Sequence, residues 1–118
     1  MLISVLKSKI HRATVIASEL EYEGSITIDK TLIDAANLLV GEKVLVVNLN
    51  NGARVETYVL EGEPDSGTIC MNGAAAHHFS VKDKIIIMSF AHMTIEEGKT
   101  FKPTKIKVNE KNKIIGNM

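Results

Sequence analysis

The sequence has few of the residues on which several classes of protein depend. Its 118 residues include one cysteine, two prolines, no tryptophan, three phenylalanines and two tyrosines. The single cysteine, Cys70, cannot form an intramolecular disulfide, which is typical of proteins of the reducing cytoplasm. So few aromatic rings also disfavour a surface on which nucleic-acid bases would stack.

Charge and hydropathy argue against a nucleic-acid binder, a protein with a membrane helix and a protein with a signal peptide. Fourteen basic residues balance fourteen acidic ones, whereas a non-specific nucleic-acid binder needs a cationic face. No apolar run approaches the ~20 residues of a membrane helix, and the apolar stretch before Lys7 is too short for the core of a signal peptide. The sequence therefore predicts one cytoplasmic domain over residues 1–118, with no membrane or nucleic-acid partner and with enough chain to bury an ordinary core.

Short apolar segments separated by turn signals predict a mainly β fold. Val44–Leu49 is rich in β-branched residues, and Asn51-Gly52 after it is a strong hairpin signal because both residues tolerate positive φ. Arg54–Leu60 alternates with a period of two, so its odd-numbered residues should share one face. Further strands are predicted over Ala13–Ala17, Thr68–Met71, Lys84–Ser89 and Lys105–Val108. The segment 110–112 is predicted to be a turn before a last apolar pair, Ile114-Ile115.

Two short segments are predicted to be helical. Asp29 is a good N-cap for a helix that would end near Gly41. Its apolar face would comprise Leu32, Ile33, Ala36, Leu39 and Val40. Thr94–Glu97 has the capping-box pattern, and Gly98 would end this second helix after about one turn. Short strands with frequent turns favour a compact barrel over an open sheet.

Two motifs of small residues could carry chemistry, although each has a structural explanation. Gly24-Ser25 is typical of a turn, but glycine permits strained backbone angles, and the serine hydroxyl could reach the preceding carbonyl and form an ester. Asn72–Ala76 (NGAAA) is typical of a tight turn before a helical turn, yet its backbone N–H groups are open to a ligand. His77 and His78 follow it, but adjacent side chains point apart on an extended chain and are poor co-ligands of a metal.

Charged and polar residues elsewhere offer weaker signals. Asp65-Ser66-Gly67 matches the aspartic-protease signature, but it follows a turn rather than an apolar strand, so a protease is a remote alternative. Arg54 and Tyr58 share a strand face and could form an anion site with a proton donor, or they could be ordinary surface side chains. Lys9 could likewise contribute to an anion site or be an ordinary surface side chain.

Taken together and in order, these segments resemble the aspartate 1-decarboxylase family, the pyruvoyl-dependent decarboxylases of pantothenate synthesis. The resemblance spans essentially the whole chain. It rests on Lys7–Ala13, Tyr22–Ser25, Asn51–Arg54 leading to Thr57-Tyr58, Asn72–Ala76, and the segment Ser89–Glu97. It implies a six-stranded double-psi β-barrel with short helices, assembled as a homotetramer.

The resemblance also implies that the chain is made as an inactive proenzyme. The Ser25 hydroxyl would attack the Gly24 carbonyl, and cleavage between these residues would leave a short chain (1–24) and a long chain (25–118) that begins with a pyruvoyl group. Thr57 and Asn72 would assist this processing. The expected cofactor is that covalent pyruvoyl group, with neither pyridoxal phosphate nor a metal. Whether a maturation factor is needed stays open.

By the same resemblance, L-aspartate forms a Schiff base with the Ser25-derived pyruvoyl group and loses CO2, and Tyr58 donates the proton that gives β-alanine. The residues that would bind the substrate are Lys9, Arg54, Thr57, Gly73, Ala74 and Ala75. Lys9 could come from a neighbouring subunit, and which carboxylate Lys9 and Arg54 each bind stays open. His77, His78 and the C-terminal tail have no assigned role.

A second class of function remains compatible with the sequence. A non-catalytic barrel that binds a small acid or a protein partner would have a similar composition and similar strands. Such a protein would keep an intact chain, and it would be indifferent to the substitution Ser25→Ala.

Overall fold

The computed structural model describes residues 1–118 and is mainly β, as the sequence predicts. Its strands are β1 (Leu2–Thr14), β2 (Ala17–Glu19), β3 (Ser25–Asp29), β4 (Lys43–Asn48), β5 (Arg54–Gly62), β6 (Ile69–Asn72), β7 (Lys84–Thr94), β8 (Thr104–Val108) and β9 (Ile114–Asn117). Its helices are α1 (Lys30–Ala35), α2 (Ile95–Thr100) and a 3-10 helix over Gly73–His78.

The strands form one mixed sheet in the order β2-β6-β3-β5-β4-β7-β1-β8-β9. Two parts of this order have the same pattern. The consecutive strands β5 and β6 lie on either side of β3, which is parallel to β5 and antiparallel to β6. Likewise β7 and β8 lie on either side of β1, which is antiparallel to β7 and parallel to β8. The order does not close on itself, so the strand pairing does not confirm the six-stranded barrel.

The core consists mainly of β-branched side chains that the strands bury together. Nineteen buried apolar residues form one cluster, in which Phe79 is the single aromatic residue. β3 contributes most uniformly, because four of its five residues are buried and Thr27 is half-buried. The strand that begins with Ser25 is therefore fixed on both faces by its packing.

The start of α1 confirms the prediction, but its end does not. Asp29 caps the helix, and its side chain accepts a hydrogen bond from the backbone N–H two residues later at 2.8 Å. The helix ends at Ala35, and Asn37 takes a φ of 59°. Leu39 and Val40 are therefore 72% and 51% exposed rather than on an apolar face. The predicted helix was too long because asparagine tolerates the left-handed conformation that ends a helix.

β1 is much longer than the predicted strand, which covers only its end and the first residue of β2. It begins at Leu2 rather than Ala13. Register shifts against β7 occur between Leu6 and Ser8 and again between His11 and Ala13. Each shift changes which side chains face the core, so the segment lacks the regular alternation by which strands are recognised.

Two further differences concern β3 and α2. The sequence pattern predicts no strand over β3, because a short, buried segment has no alternation to reveal it. In α2 the predicted capping box is present, with Thr94 and Glu97 each accepting a hydrogen bond from the other's backbone. The helix nevertheless continues through Gly98, where a Cβ would approach the Ile3 side chain to 3.3 Å. Gly98 therefore permits close packing and does not end the helix.

The remaining predicted elements are confirmed. The strands β4, β5, β6 and β8 differ from prediction by one or two residues at their ends, and β7 extends to Thr94. The apolar pair Ile114-Ile115, for which no strand was predicted, begins β9. The hairpin between β4 and β5 turns at Gly52, whose φ is +79°. The small-residue run after Asn72 forms a helical turn, as its structural explanation predicts.

Candidate active site

Ser25 lies at the start of β3, between two neighbouring strands. It is completely buried and pairs with Asn72 of β6. The next residue, Ile26, pairs with Val59 of β5. Because Tyr58 immediately precedes Val59, this register brings the strand segment that carries Tyr58 alongside Ser25.

The Ser25 side chain makes two hydrogen bonds of defined direction. Its hydroxyl donates to the carbonyl oxygen of Glu23 at 3.0 Å. The Asn72 side-chain nitrogen Nδ2 donates to Ser25 Oγ at 3.0 Å and to Thr27 Oγ1 at the same distance. The structure thus brings together two of the residues predicted to take part in processing, Ser25 and Asn72.

The backbone at Gly24 differs from the expectation of local strain. Gly24 does not take a positive φ, and a Cβ built on it would meet no atom within 4 Å outside its chain neighbours. The positive φ is found instead at Gly73, which packs against Gly24 from the end of β6. The glycine conformation that this site requires is therefore at Gly73.

Gly24 opens onto a groove of about 450 Å³. The residues that line it are Gly24, Val55, Glu56, Thr57, Tyr58, Ala74, Ala75 and His78. Five of the predicted site residues thus meet in one place, although they come from three separate segments of the chain. A larger groove of about 640 Å³, which includes Arg12 and Lys84, contains none of them.

The alternation predicted for β5 is confirmed. Val59 is fully buried, and Val55 packs against the core cluster. On the opposite face Arg54 and Glu56 are exposed. Thr57 lines the groove but makes no hydrogen bond to Ser25.

The environment of Tyr58 favours its protonated form. Partial burial raises the pKa of the Tyr58 phenol, and a hydrogen bond to Glu23, the negative charge of Glu23 and the nearby Tyr22 raise it further. Each of these effects disfavours the phenolate. Tyr58 therefore keeps its proton at neutral pH, as a proton donor must.

Three predicted substrate-binding residues do not line the groove, although one of them, Gly73, packs against Gly24 beside it. Arg54 begins β5 on the same face as Tyr58, but it is exposed and lies outside the lining. Lys9 lies on β1, which β5, β4 and β7 separate from β3 in the strand order. One chain by itself therefore does not assemble all of the predicted binding residues at Gly24.

Three residues at this site received no functional role in the sequence analysis. Glu23 accepts the Ser25 hydrogen bond through its carbonyl, His78 lines the groove, and Cys70 contacts Asn72 at 3.2 Å. For Glu23, the sequence signal that could have indicated a role was its position immediately before Gly24. The place of His78 in the groove depends on tertiary structure. The contact of Cys70 with Asn72 follows from their spacing of two residues on β6.

The protease-like motif serves as a turn between β5 and β6. Asp65 is exposed and has a φ of 60°. Its carboxylate accepts a hydrogen bond from the Thr31 hydroxyl at 2.9 Å, and its N–H donates to Asp29. These contacts give the motif a structural role away from the groove.

The structure contains no group of three or more His, Cys, Asp or Glu side chains arranged to hold a metal ion. None of its helices is long and apolar enough to cross a membrane.

Comparison with known proteins identifies relatives of the whole chain. Residues 1–115 match the family model described as aspartate decarboxylase. A protein of Caldicellulosiruptor saccharolyticus named aspartate 1-decarboxylase is 59% identical over 115 residues, which cover 98% of this chain and 90% of that protein. A protein of the same name from Clostridium botulinum (strain Alaska E43) is 56% identical over 114 residues, covering 97% and 92%.

Proposed function

The chain belongs to the aspartate decarboxylase family, and on that basis we propose that it cleaves itself and then converts L-aspartate to β-alanine and CO2 for pantothenate synthesis. The observation that carries the proposal is the arrangement at the scissile bond. Ser25 is buried and oriented by Asn72, while Gly24 opens onto the groove that Tyr58 lines. One location thus combines a positioned nucleophile, a peptide bond that follows an accessible glycine, and a proton donor.

In the proposed cleavage, Ser25 Oγ attacks the Gly24 carbonyl carbon. The C–N bond between the two residues breaks, and the hydroxyl proton passes to the released amine, which leaves an ester. Loss of the Ser25 α-proton then expels the Gly24 carboxylate and leaves dehydroalanine. Hydrolysis of dehydroalanine releases ammonia and leaves a pyruvoyl group at the start of the 25–118 chain.

The surroundings of Ser25 fit such a group. The side chain is buried, its neighbours are hydrogen-bonding groups that can hold a carbonyl, and the preceding residue opens onto the groove. When formed, the pyruvoyl group supplies the electron sink that loss of a carboxylate as CO2 requires. Both products of cleavage would remain in the fold, because residues 1–24 include β1, which pairs with β7 and β8.

The other groove residues act on the substrate. Tyr58 holds a proton at its phenol oxygen and donates it to the substrate Cα after CO2 has left. Thr57 polarises the Gly24 carbonyl during cleavage and later contacts the substrate. The backbone of Gly73, Ala74 and Ala75 lets the substrate approach closely, because these side chains are small.

The cations act from the rim of the groove and from a neighbouring chain. Arg54 binds one carboxylate of aspartate through its fork of N–H donors. Lys9 does not line the groove of its own chain, and in the proposed homotetramer it serves the groove of a neighbouring chain. The double-psi barrel is part of the same proposal, and the placement of β3 between β5 and β6 and of β1 between β7 and β8 supports it.

An intact-mass spectrum of the denatured, freshly purified protein tests this function. We expect two chains that break after Gly24, with the longer one lighter than a chain starting with serine and reactive towards hydrazine. The purified protein should then release β-alanine from L-aspartate. The matched variant Ser25→Ala should remain a single chain of 12.9 kDa. A wild-type chain that stays intact after warm incubation, with and without cell extract, would instead support a binding barrel.

A further inference from the structure

Cys70 contacts the residue that orients the proposed nucleophile. It lies on β6 two residues before Asn72, so both side chains project from the same face of the strand. Cys70 Sγ lies 3.2 Å from Asn72 Oδ1, which is well within the range of a hydrogen bond to sulfur. A second possible acceptor, the Met71 carbonyl, is farther away at 3.9 Å. The thiol hydrogen therefore points to the Asn72 amide.

The amide of Asn72 has two chemically different ends, and its orientation matters for Ser25. Its nitrogen faces Ser25 Oγ and Thr27 Oγ1, and its oxygen faces Cys70. Because Ser25 donates its own hydrogen to Glu23, a hydrogen bond between Ser25 Oγ and Asn72 requires the amide to be the donor. A rotated amide would place its oxygen beside Ser25 Oγ and would remove this bond.

The surroundings of Cys70 keep it a donor. The residue is 8% exposed, and desolvation, together with the negative charge of Glu19, raises the pKa of the Cys70 thiol. A protonated thiol donates to the amide oxygen and is only a weak acceptor for the amide nitrogen. Of the two amide orientations, it therefore favours the one seen in the structure.

We propose that Cys70 is a positioning residue for chain cleavage: its thiol holds the Asn72 amide with the nitrogen towards Ser25. This inference rests on the proposed function, because it concerns the rate of the same cleavage. Asn72 in turn directs the Ser25 hydroxyl to the Glu23 carbonyl and leaves the position of Oγ fixed beside Gly24. Cys70 does not touch the reacting atoms, and it acts through Asn72.

The test compares variants that keep or remove the donor at position 70. The protein is made by cell-free translation, synthesis is stopped, and conversion of the full chain into its two fragments is followed over time. Cys70→Ala removes the donor, and we expect it to slow cleavage by about fivefold, the effect of one neutral hydrogen bond. Cys70→Ser removes the same sulfur but keeps a donor, and we expect its rate to stay within about twofold of wild type by the same measure.

A second pair of variants covers the case in which Cys70→Ala is too unstable to measure. Cys70→Thr and Cys70→Val have the same shape and differ in the hydroxyl donor. In each pair, the variant with a donor should cleave faster than the variant without one. The thermal unfolding midpoints of the two full-length chains should be equal, so that a difference in stability does not explain the difference in rate. Equal rates within a pair would show that Cys70 acts only by packing and would overturn the inference.

Failure of the proposed function has a different signature. If wild type does not cleave under any condition, the function itself is wrong. If wild type cleaves, Ser25→Ala does not, and Cys70→Ala cleaves at the wild-type rate, the function stands and the role of Cys70 is refuted.

Discussion

A β-carbon on Gly73 would lie 2.7 Å from the α-carbon of Gly24 and 2.8 Å from its nitrogen. Real β-carbons do not approach backbone so closely, and Gly73 also has a φ of +76°, which glycine adopts without a steric cost. The end of β6 is thus in direct backbone contact with the proposed cleavage site. Gly73 thereby helps to determine where the Gly24 carbonyl lies relative to Ser25.

Gly73→Ala should impair cleavage more than it impairs folding. The new methyl must displace Gly24, and a displacement of about 1 Å can slow a positioned reaction by about a hundredfold. Gly52→Ala is the matched control, since Gly52 has a φ of +79° but open space around it. Both variants pay about 1–2 kcal/mol for the left-handed conformation, so cleavage rate and thermal midpoint are measured for both. Similar cleavage by the two would contradict a positioning role for Gly73.

Tyr58→Phe should cleave at a normal rate and then fail in decarboxylation. The variant keeps the ring but removes the proton donor, and loss of general acid catalysis costs about 10²–10⁴-fold in kcat. Release of β-alanine by the cleaved protein is the measurement. Tyr22→Phe serves as the control, because Tyr22 is exposed and does not line the groove. Full activity of cleaved Tyr58→Phe would show that another group protonates the product.

Removing the charge of Glu23 should lower the pKa of Tyr58. A hydrogen bond to Glu23 and its negative charge both raise that pKa. Spectrophotometric titration is performed in an uncleavable Ser25→Ala chain that also carries Tyr22→Phe, so that Tyr58 is the one tyrosine observed. Glu23→Gln should shift the titration to lower pH, whereas Glu21→Gln should leave it in place. The same titration curve for Glu23→Gln and Glu21→Gln would contradict an influence of Glu23 on the pKa of Tyr58.

Arg54 and Lys9 should complement each other between chains. Each substitution to alanine removes a charged hydrogen-bonding partner of the substrate, which costs about 1.5–3 kcal/mol, or roughly ten- to a hundredfold in activity. Co-expression of differently tagged Arg54→Ala and Lys9→Ala chains should give mixed oligomers with more activity than either variant alone. No gain in the mixed oligomers would mean that both residues act within one chain.

His11 should make the fold less stable in acid. Burial and the positive charges of Lys9, Arg12 and Lys107 lower the pKa of His11 from its ordinary 6.5. The unfolded chain therefore binds the proton more readily than the folded one. The free energy of unfolding should be unaffected by this group above pH 6.5 and should decrease as the pH falls below it towards the folded-state pKa.

Urea unfolding at a series of pH values measures this effect, with Ser25→Ala used to keep the chain intact. His11→Gln should reduce the loss of stability in acid. The control His92→Gln, at an exposed position on β7, should not. An acid profile that is unchanged in His11→Gln would assign the loss to other groups.

Much of the fold could be predicted because its signals are local. The period of two in β5, the Asn51-Gly52 turn, the Asp29 cap and the capping box of α2 each depend on residues within a few positions of one another. Where the predictions from these signals fail, the cause is also a local feature of the chain. Asn37 ends α1 against an apolar pattern that would have continued it, and the register shifts in β1 hide a strand of thirteen residues.

The amino-acid sequence by itself determined which segments form strands, where the chain turns, and which residue types are available for chemistry, including the Gly24-Ser25 pair. Only the tertiary structure decided which of them meet. Asn72 reaches Ser25 across 47 residues of chain, and Gly73 contacts Gly24 at the same junction, because β6 pairs with β3 in one register. Lys9, which the resemblance places at the substrate, is separated from this junction by three strands. Register and strand order depend on how all the buried faces pack at once, and no short segment of sequence contains that information.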